Sequence, residues 1–295
     1  MPDSTSTEHG AVLIDHESED FPVFRPVADL SVEQYERFAE AYETLAASRD
    51  ESMFNFVRAC ATDLLDYILR IGSRAVETRS VPRTDERGSD VGEYVRAQSL
   101  SASNAFFVYR DHRIHAAKLL GDRRGDSTEL DVKSILDELD TDCFGYRWLI
   151  ELRNALMHLD LRSVSFSITV SVGSEPAFTL NLIREQVLKT RNLNQTRNAA
   201  RRAELAALAH DPSVIDLLQE ALPAVASAES KVLKAMYPEP VLRDAGLVVC
   251  ELIDLFDGRR GTYCLRTGPG FTSERRIPPY YQLSPEVLSH AESFR

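Results

Sequence analysis

The chain lacks the features that would place it in a membrane, a secretory route or a metal-dependent class. No run approaches the ~18 to 20 uninterrupted apolar residues that a membrane span needs, so no membrane partner is expected. The start, "MPDSTSTEHGAVLIDHESEDF", has neither the basic residues nor the apolar stretch of a signal peptide, and a cytoplasmic location is expected. Cysteine is scarce: Cys60, Cys143, Cys250 and Cys264 show no Cys-x-x-Cys spacing, which argues against a structural zinc site or a disulfide scaffold and leaves small buried hydrophobes. "YRDHRIH" puts His112 and His115 beside Asp111, but no third ligand cluster follows, and surface or partly buried histidines are the better reading. "GTYCLRTGPGF" has glycines without a P-loop lysine or a strand-to-helix glycine frame, and no Gly-x-Ser-x-Gly elbow occurs. No metal and no cofactor is expected.

What is present is ordinary folded-protein material: 295 residues, 43% hydrophobic, enough for one large domain or two modest ones. The net charge of −12 is unevenly spread. Residues 1–50 hold 12 acidic and 3 basic side chains, so the remaining body is close to neutral. Arg184 to Arg202 carries six basic residues against Glu185 alone. Most such runs are solvated helix faces, although a phosphate-contacting strip is a second possibility, with Arg184 and Arg191 its candidates.

The pattern is mainly helical. Residues 1–30 mix acids with Pro22 and Pro26 without a sustained period and read as a flexible or loosely attached arm. Ser31 and Gln34 make a capping box ahead of Val32, Tyr35, Phe38, Tyr42 and Leu45 at helical spacing. Further helices are expected over about 51–75, 90–120, 132–139 and 146–159, with a loop over 77–89. The period then changes: Val164, Phe166, Ile168 and Val170 alternate with serines and a threonine, and Phe178, Leu180 and Leu182 repeat the pattern, predicting a hairpin over 163–183. Helices are expected again over about 184–210 and after Asp211-Pro212, the latter kinked at Pro223. From Glu239 the chain is mixed: "GLVVCELIDLF" fits helix or buried strand, "GTYCL" a strand, and Ser284-Pro285-Glu286 the start of a short helix.

The stretch "RWLIELRNALMHLDL", 147–161, bears the most chemistry. At about 100° per residue, Arg147, Glu151, Asn154 and His158 form one polar stripe, while Leu149, Leu152, Leu156 and Leu159 form the apolar one. Arg153 lies at the margin, long enough to reach round. The bland reading is a satisfied polar face, with Arg147 paired to Glu151 and Asn154 bonded to a neighbouring carbonyl. Against it stands His158 at a helix C-terminus, where imidazolium is favoured and a general acid or base is well placed.

"RNALMH" resembles the R-x-x-x-x-H motif of HEPN-domain proteins, and "LRNALMHLDLRSVSFSITVS" is similar to a widespread group of bacterial HEPN-like proteins in which this helix precedes a hairpin and further helices. The earlier helix with Asn104, Phe106 and His112, and the later "REQVLKTRNLNQ", fit that layout. The resemblance spans about 31–235. It implies a HEPN-like helical bundle with an inserted β-hairpin, preceded by the 1–30 arm and followed by a small mixed α/β extension over 236–295. It also implies a homodimer that brings two motif helices across a cleft, and a metal-independent endoribonuclease of toxin-antitoxin, phage-defence or RNA-processing systems, with RNA as substrate and an antitoxin or defence protein as partner. Carried over, His158 becomes the acid/base group, Arg153 steadies the phosphorane and Asn154 orients phosphate or histidine; beside them, Arg147, Arg184 and Arg191 are the candidate substrate contacts read from the chain itself. RNA supplies its own nucleophile, so moving protons and neutralising phosphate oxygens suffices. Many HEPN toxins carry a tyrosine shortly after the histidine, and here Leu159 and Asp160 follow instead. A non-catalytic HEPN module binding nucleotide, RNA or a protein is the alternative.

Overall fold

The computed structural model describes residues 9–16, 23–78, 80, 81, 83, 84, 90–169, 177–268, 277 and 279–295. The chain is mainly helical, with a β-hairpin and a small α/β part. Among the described residues no helix is long and apolar enough to cross a membrane. Two compact units divide it, Glu51–Met236 and a discontinuous one made of Met1–Asp50 with Tyr237–Arg295.

The discontinuous unit corrects the expectation of a loose N-terminal arm. β1 (His9–Asp15) and β2 (Val23–Leu30) pair antiparallel, and β5 (Thr262–Arg266) and β6 (Tyr280–Gln282) complete a sheet in the order β2-β1-β5-β6. The reason is burial: Ala11, Val12, Leu13 and Ile14 are each at most 6% exposed. A run with both faces covered shows no alternation, and its partner β5 lies some 250 residues further along. Pro26 is tolerated because the β1–β2 register shifts between Ala11 and Val12, opposite it. α1 (Val32–Ala47) starts at the expected capping box, with Ser31 and Gln34 exchanging both bonds. It packs on α9 (Glu239–Leu255), which resolves "GLVVCELIDLF" as helix, and on α10 (Pro285–Glu292). The residues that the sequence assigned to a bundle's first helix and to a C-terminal extension thus share one core of Leu30, Phe38, Tyr42, Leu45, Val249, Phe256 and Leu265.

The unit 51–236 is the helical one. α2 (Ser52–Thr78) and α3 (Val91–Arg124) form its long pair, the second opened by Asp90, whose side chain accepts from Glu93 N–H, and closed by Gly125 in the left-handed conformation. α4 (Thr128–Asp142) and α5 (Phe144–His158) follow, then a 3-10 turn and the hairpin of β3 (Val164–Thr169) and β4 (Ala177–Leu182), paired with Phe166 opposite Leu180. Val170 lies outside the described residues. α6 (Arg184–Val187), a 3-10 turn, α7 (Ala199–Ala207) and α8 (Val214–Met236) complete the order.

Two departures in this unit have physical causes. The helix expected over 184–210 is broken between α6 and α7, because asparagine side chains compete for the backbone: Asn194 Nδ2 donates to Thr190 O at 3.0 Å and Asn198 Nδ2 to Asn192 O at 2.8 Å. α8 begins at Val214 rather than at Pro212, since Asp211 is bonded to Arg184 Nε at 2.8 Å instead of capping a helix. α8 runs on through Pro223.

Trp148, Leu149 and Leu152 of α5 are fully buried, and the helix packs on α3 and α8. Gly145 makes the α8 crossing possible, because a Cβ there would run into the carbonyl oxygen of Leu217. Gly145→Ala is therefore expected to cost about 1–3 kcal/mol by overpacking, read as a lower urea midpoint at unchanged slope. An unchanged midpoint would contradict so close an approach.

Candidate functional site at the end of α5

The last turn and a half of α5 borders a cavity of about 670 Å³ lined by Asn154, His158, Leu159, Lys189, Thr190, Arg191, Asn192 and Gln195. The asparagine-rich break between α6 and α7 supplies its other wall. His158 is exposed and its imidazole makes no hydrogen bond among the described residues. Arg191 is likewise exposed without a partner there, while Lys189 Nζ donates to Gln186 Oε1 at 3.2 Å. One imidazole and two cations thus face one space.

Arg153 is half-buried and fastened in three ways. Its Nε donates to Asn104 Oδ1 at 3.2 Å, its Nη1 donates to Asn154 Oδ1 at 3.2 Å, and its guanidinium carbon stands 4.2 Å from the centroid of Phe107. Stacking on an aromatic face holds a guanidinium flat at little entropic cost. α3 therefore presets the arginine's plane through Asn104 and Phe107.

Beneath them the polar stripe behaves differently from its sequence reading. Glu151 is buried at 1% exposure and does not pair with Arg147. Its Oε2 accepts from Asn154 Nδ2 at 3.4 Å and its Oε1 from Asn192 Nδ2, while Asn192 Oδ1 accepts from Asn198 Nδ2 at 3.1 Å. Donation runs inward from both ends, Arg153 to Asn154 to Glu151 on one side and Asn198 to Asn192 to Glu151 on the other. An acceptor-only carboxylate satisfies both directions at once.

Burial nevertheless dominates and raises the Glu151 carboxyl above its ordinary 4.5, against the lowering effect of the Asn154 and Asn192 bonds. A raised folded value adds stability below the ordinary range, and that stability is lost as pH climbs through the folded value. Compared with Glu151→Gln, the native protein should be at its relative best below pH 4.5 and lose that advantage as pH climbs towards neutrality. Urea unfolding of both proteins across that range checks this; a pH-independent difference would contradict it.

Two candidates have other tasks. Arg147 Nη1 donates to the carbonyls of Asp140 at 3.0 Å and Thr141 at 2.7 Å, and Nη2 pairs with Glu204 at 2.9 Å, so it ties α5 to the end of α4 and to α7. Arg184 pairs with Asp211 and donates to Leu208 O, closing the segment before α8. Neither is among the residues that line the cavity, and nor is Arg153, which stands behind Asn154. Leu159, expected on the apolar stripe, is 46% exposed and forms part of the cavity wall. His112 and His115 are both exposed.

The sequence did not reveal the supports. Asn104 and Phe107 sit three apart on one face of α3, but nothing local says that this face meets α5. Compared with protein-family models, with curated proteins and with solved structures, the chain matches none.

Proposed function

We propose that the 51–236 unit is a metal-independent endoribonuclease of HEPN type, acting in the cytoplasm in a bacterial defence or toxin-antitoxin setting. The observation that carries this reading is the cavity at the end of α5, where Asn154 and His158 meet Lys189 and Arg191, some thirty residues later in sequence. His158 takes the proton of an RNA 2′-hydroxyl; the 2′-oxygen bonds to the adjacent phosphorus, and the bond from phosphorus to the 5′-oxygen breaks. The leaving 5′-oxygen takes a proton from the His158 imidazolium of a second copy. Arg153, turned by Asn104 and Phe107, and Arg191 neutralise the phosphorane oxygens. Met157, Leu159 and Leu161 are 50%, 46% and 42% exposed around His158, an apolar rim that a second copy would cover in a homodimer. An antitoxin or defence protein is the expected regulatory partner.

A second reading, a non-catalytic module binding RNA, nucleotide or protein, is favoured by one feature: no side chain orients His158 by a hydrogen bond among the described residues, whereas a general base is ordinarily steered by a third group. Incubation with total RNA in excess chelator, alongside Arg153→Ala and His158→Ala, separates the two. Cleavage lost in both variants supports the enzyme; equal cleavage by all three proteins overturns it.

A further inference from the structure

The discontinuous unit holds a second cleft, of about 320 Å³, between the α9–β5 turn and α10. Its turn, Phe256 to Gly261, is firmly set. The Phe256 ring stacks on Tyr263 with centroids 3.9 Å apart and planes 3° from parallel. Arg259 N–H donates to Phe256 O at 3.0 Å, and the Tyr263 hydroxyl donates to Arg259 O at 2.9 Å. Asp257 and Gly258 take positive φ values of 51° and 66°, and a Cβ at Gly261, whose φ is 141°, would meet the carbonyl oxygen of Ile14. This pinned turn displays Arg259 and Arg260 on the cleft wall, both exposed and neither guanidinium with a hydrogen bond or ion pair among the described residues.

The cleft's other surfaces narrow what those guanidiniums could meet. Ile253, Leu283 and Leu288 make an apolar floor, and Ser289 and Glu292 bring a hydroxyl and a carboxylate. A bare inorganic anion would gain nothing from the floor. A polyanion would bring excess charge against Glu292 with only two arginines to meet it. A molecule with one doubly charged head, a flat apolar body and hydroxyls able to donate to a carboxylate uses every wall. Arginine pairs suit a terminal phosphate, and an acidic side chain is the common recognition group for ribose hydroxyls. About 320 Å³ lies near the small end of ligand pockets, room for one nucleotide and not two.

We propose that this cleft binds a nucleoside monophosphate, with the phosphate on Arg259 and Arg260, the base on Ile253, Leu283 and Leu288, and the ribose hydroxyls donating to Glu292. The inference is independent of the ribonuclease reading, because none of these residues belongs to the α5 cavity. Calorimetric titration of the full chain with each of the four ribonucleoside 5′-monophosphates, with the corresponding nucleosides and with inorganic phosphate tests it. The proposal expects at least one monophosphate to bind with a dissociation constant below a millimolar, its nucleoside at least tenfold more weakly, and inorganic phosphate not at all over the same range. Arg259→Ala/Arg260→Ala should weaken binding at least tenfold with an unchanged melting temperature, Glu292→Gln should weaken ribonucleotide more than deoxyribonucleotide, and Arg191→Ala should leave affinity unchanged. Absence of binding at millimolar concentration, inorganic phosphate binding as tightly as nucleotide, or affinity lost in Arg191→Ala but kept in the double variant would each overturn it.

Discussion

Replacing His158 by alanine is expected to reduce chelator-resistant RNA cleavage by about 10²–10⁴-fold, the usual contribution of a positioned acid or base, with no loss of thermal stability. The second half follows from the geometry. The His158 side chain is exposed and contributes no hydrogen bond to the fold among the described residues, so its removal leaves no buried group unpaired. Arg153→Ala should differ in kind. It removes the charge offered to phosphate, and it also strands Asn104 and Asn154 and uncovers Phe107, so activity and stability should fall together. Arg153→Lys sharpens the point: charge is kept, but a lysine has no Nε to meet Asn104 and no plane to stack, so most activity should still be lost. Cleavage rates and melting curves for the three variants distinguish a chemical role from a supporting one. A His158→Ala protein that cuts RNA at the native rate would remove the histidine from the mechanism.

The second large effect lies in the scaffold that aims the site. Arg113 of α3 and Glu229 of α8 are both buried, paired through Nη2 and through an Nε bond of 3.0 Å, and Tyr109 donates to the same carboxylate at 3.0 Å. Burial and the adjacent Glu229 charge push the Tyr109 phenol far above its ordinary range, so it remains a donor at every pH the protein meets. Removing one member of a buried pair leaves the other charge without compensation, so Arg113→Ala or Glu229→Ala should each cost about 3–5 kcal/mol. Replacing both by apolar residues of similar size, Arg113→Met with Glu229→Leu, should recover most of that loss, because the desolvation penalty disappears with the charges. Denaturant unfolding of the singles and the double gives the coupling directly. Singles that cost less than a typical surface substitution would show that the pair is not desolvated in solution.

These effects also show which parts of the molecule a sequence can express. The capping box at Ser31 and the serine-spaced hairpin are local devices, and each stands where its residues put it. β1 is the opposite case. Its apolar run is too short and too evenly buried to show a period, and its meaning depends on β5 at the far end of the chain. That one pairing moved the expected arm, first helix and C-terminal extension into a single unit. The site divides along the same line. His158, Asn154 and the neighbouring arginine could be read from helical spacing, and Arg191 from the clustering of basic residues. Glu151 could not, since a glutamate on a polar stripe looks exposed until Asn192 is known to cover it. Arg147 and Arg184 look like free cations until Glu204 and Asp211 are brought to them by the fold.

The proposed chemistry is tested most directly by the ends it leaves. RNA incubated with the full chain in excess chelator, followed by analysis of fragment termini, should yield 2′,3′-cyclic phosphate and 5′-hydroxyl ends, because the attacking oxygen is the substrate's own 2′-hydroxyl. The same incubation with His158→Ala should yield neither. Intact RNA, or fragments bearing 5′-phosphate and 3′-hydroxyl ends, would contradict a site in which His158 and Arg153 act on a phosphate attacked from within the RNA.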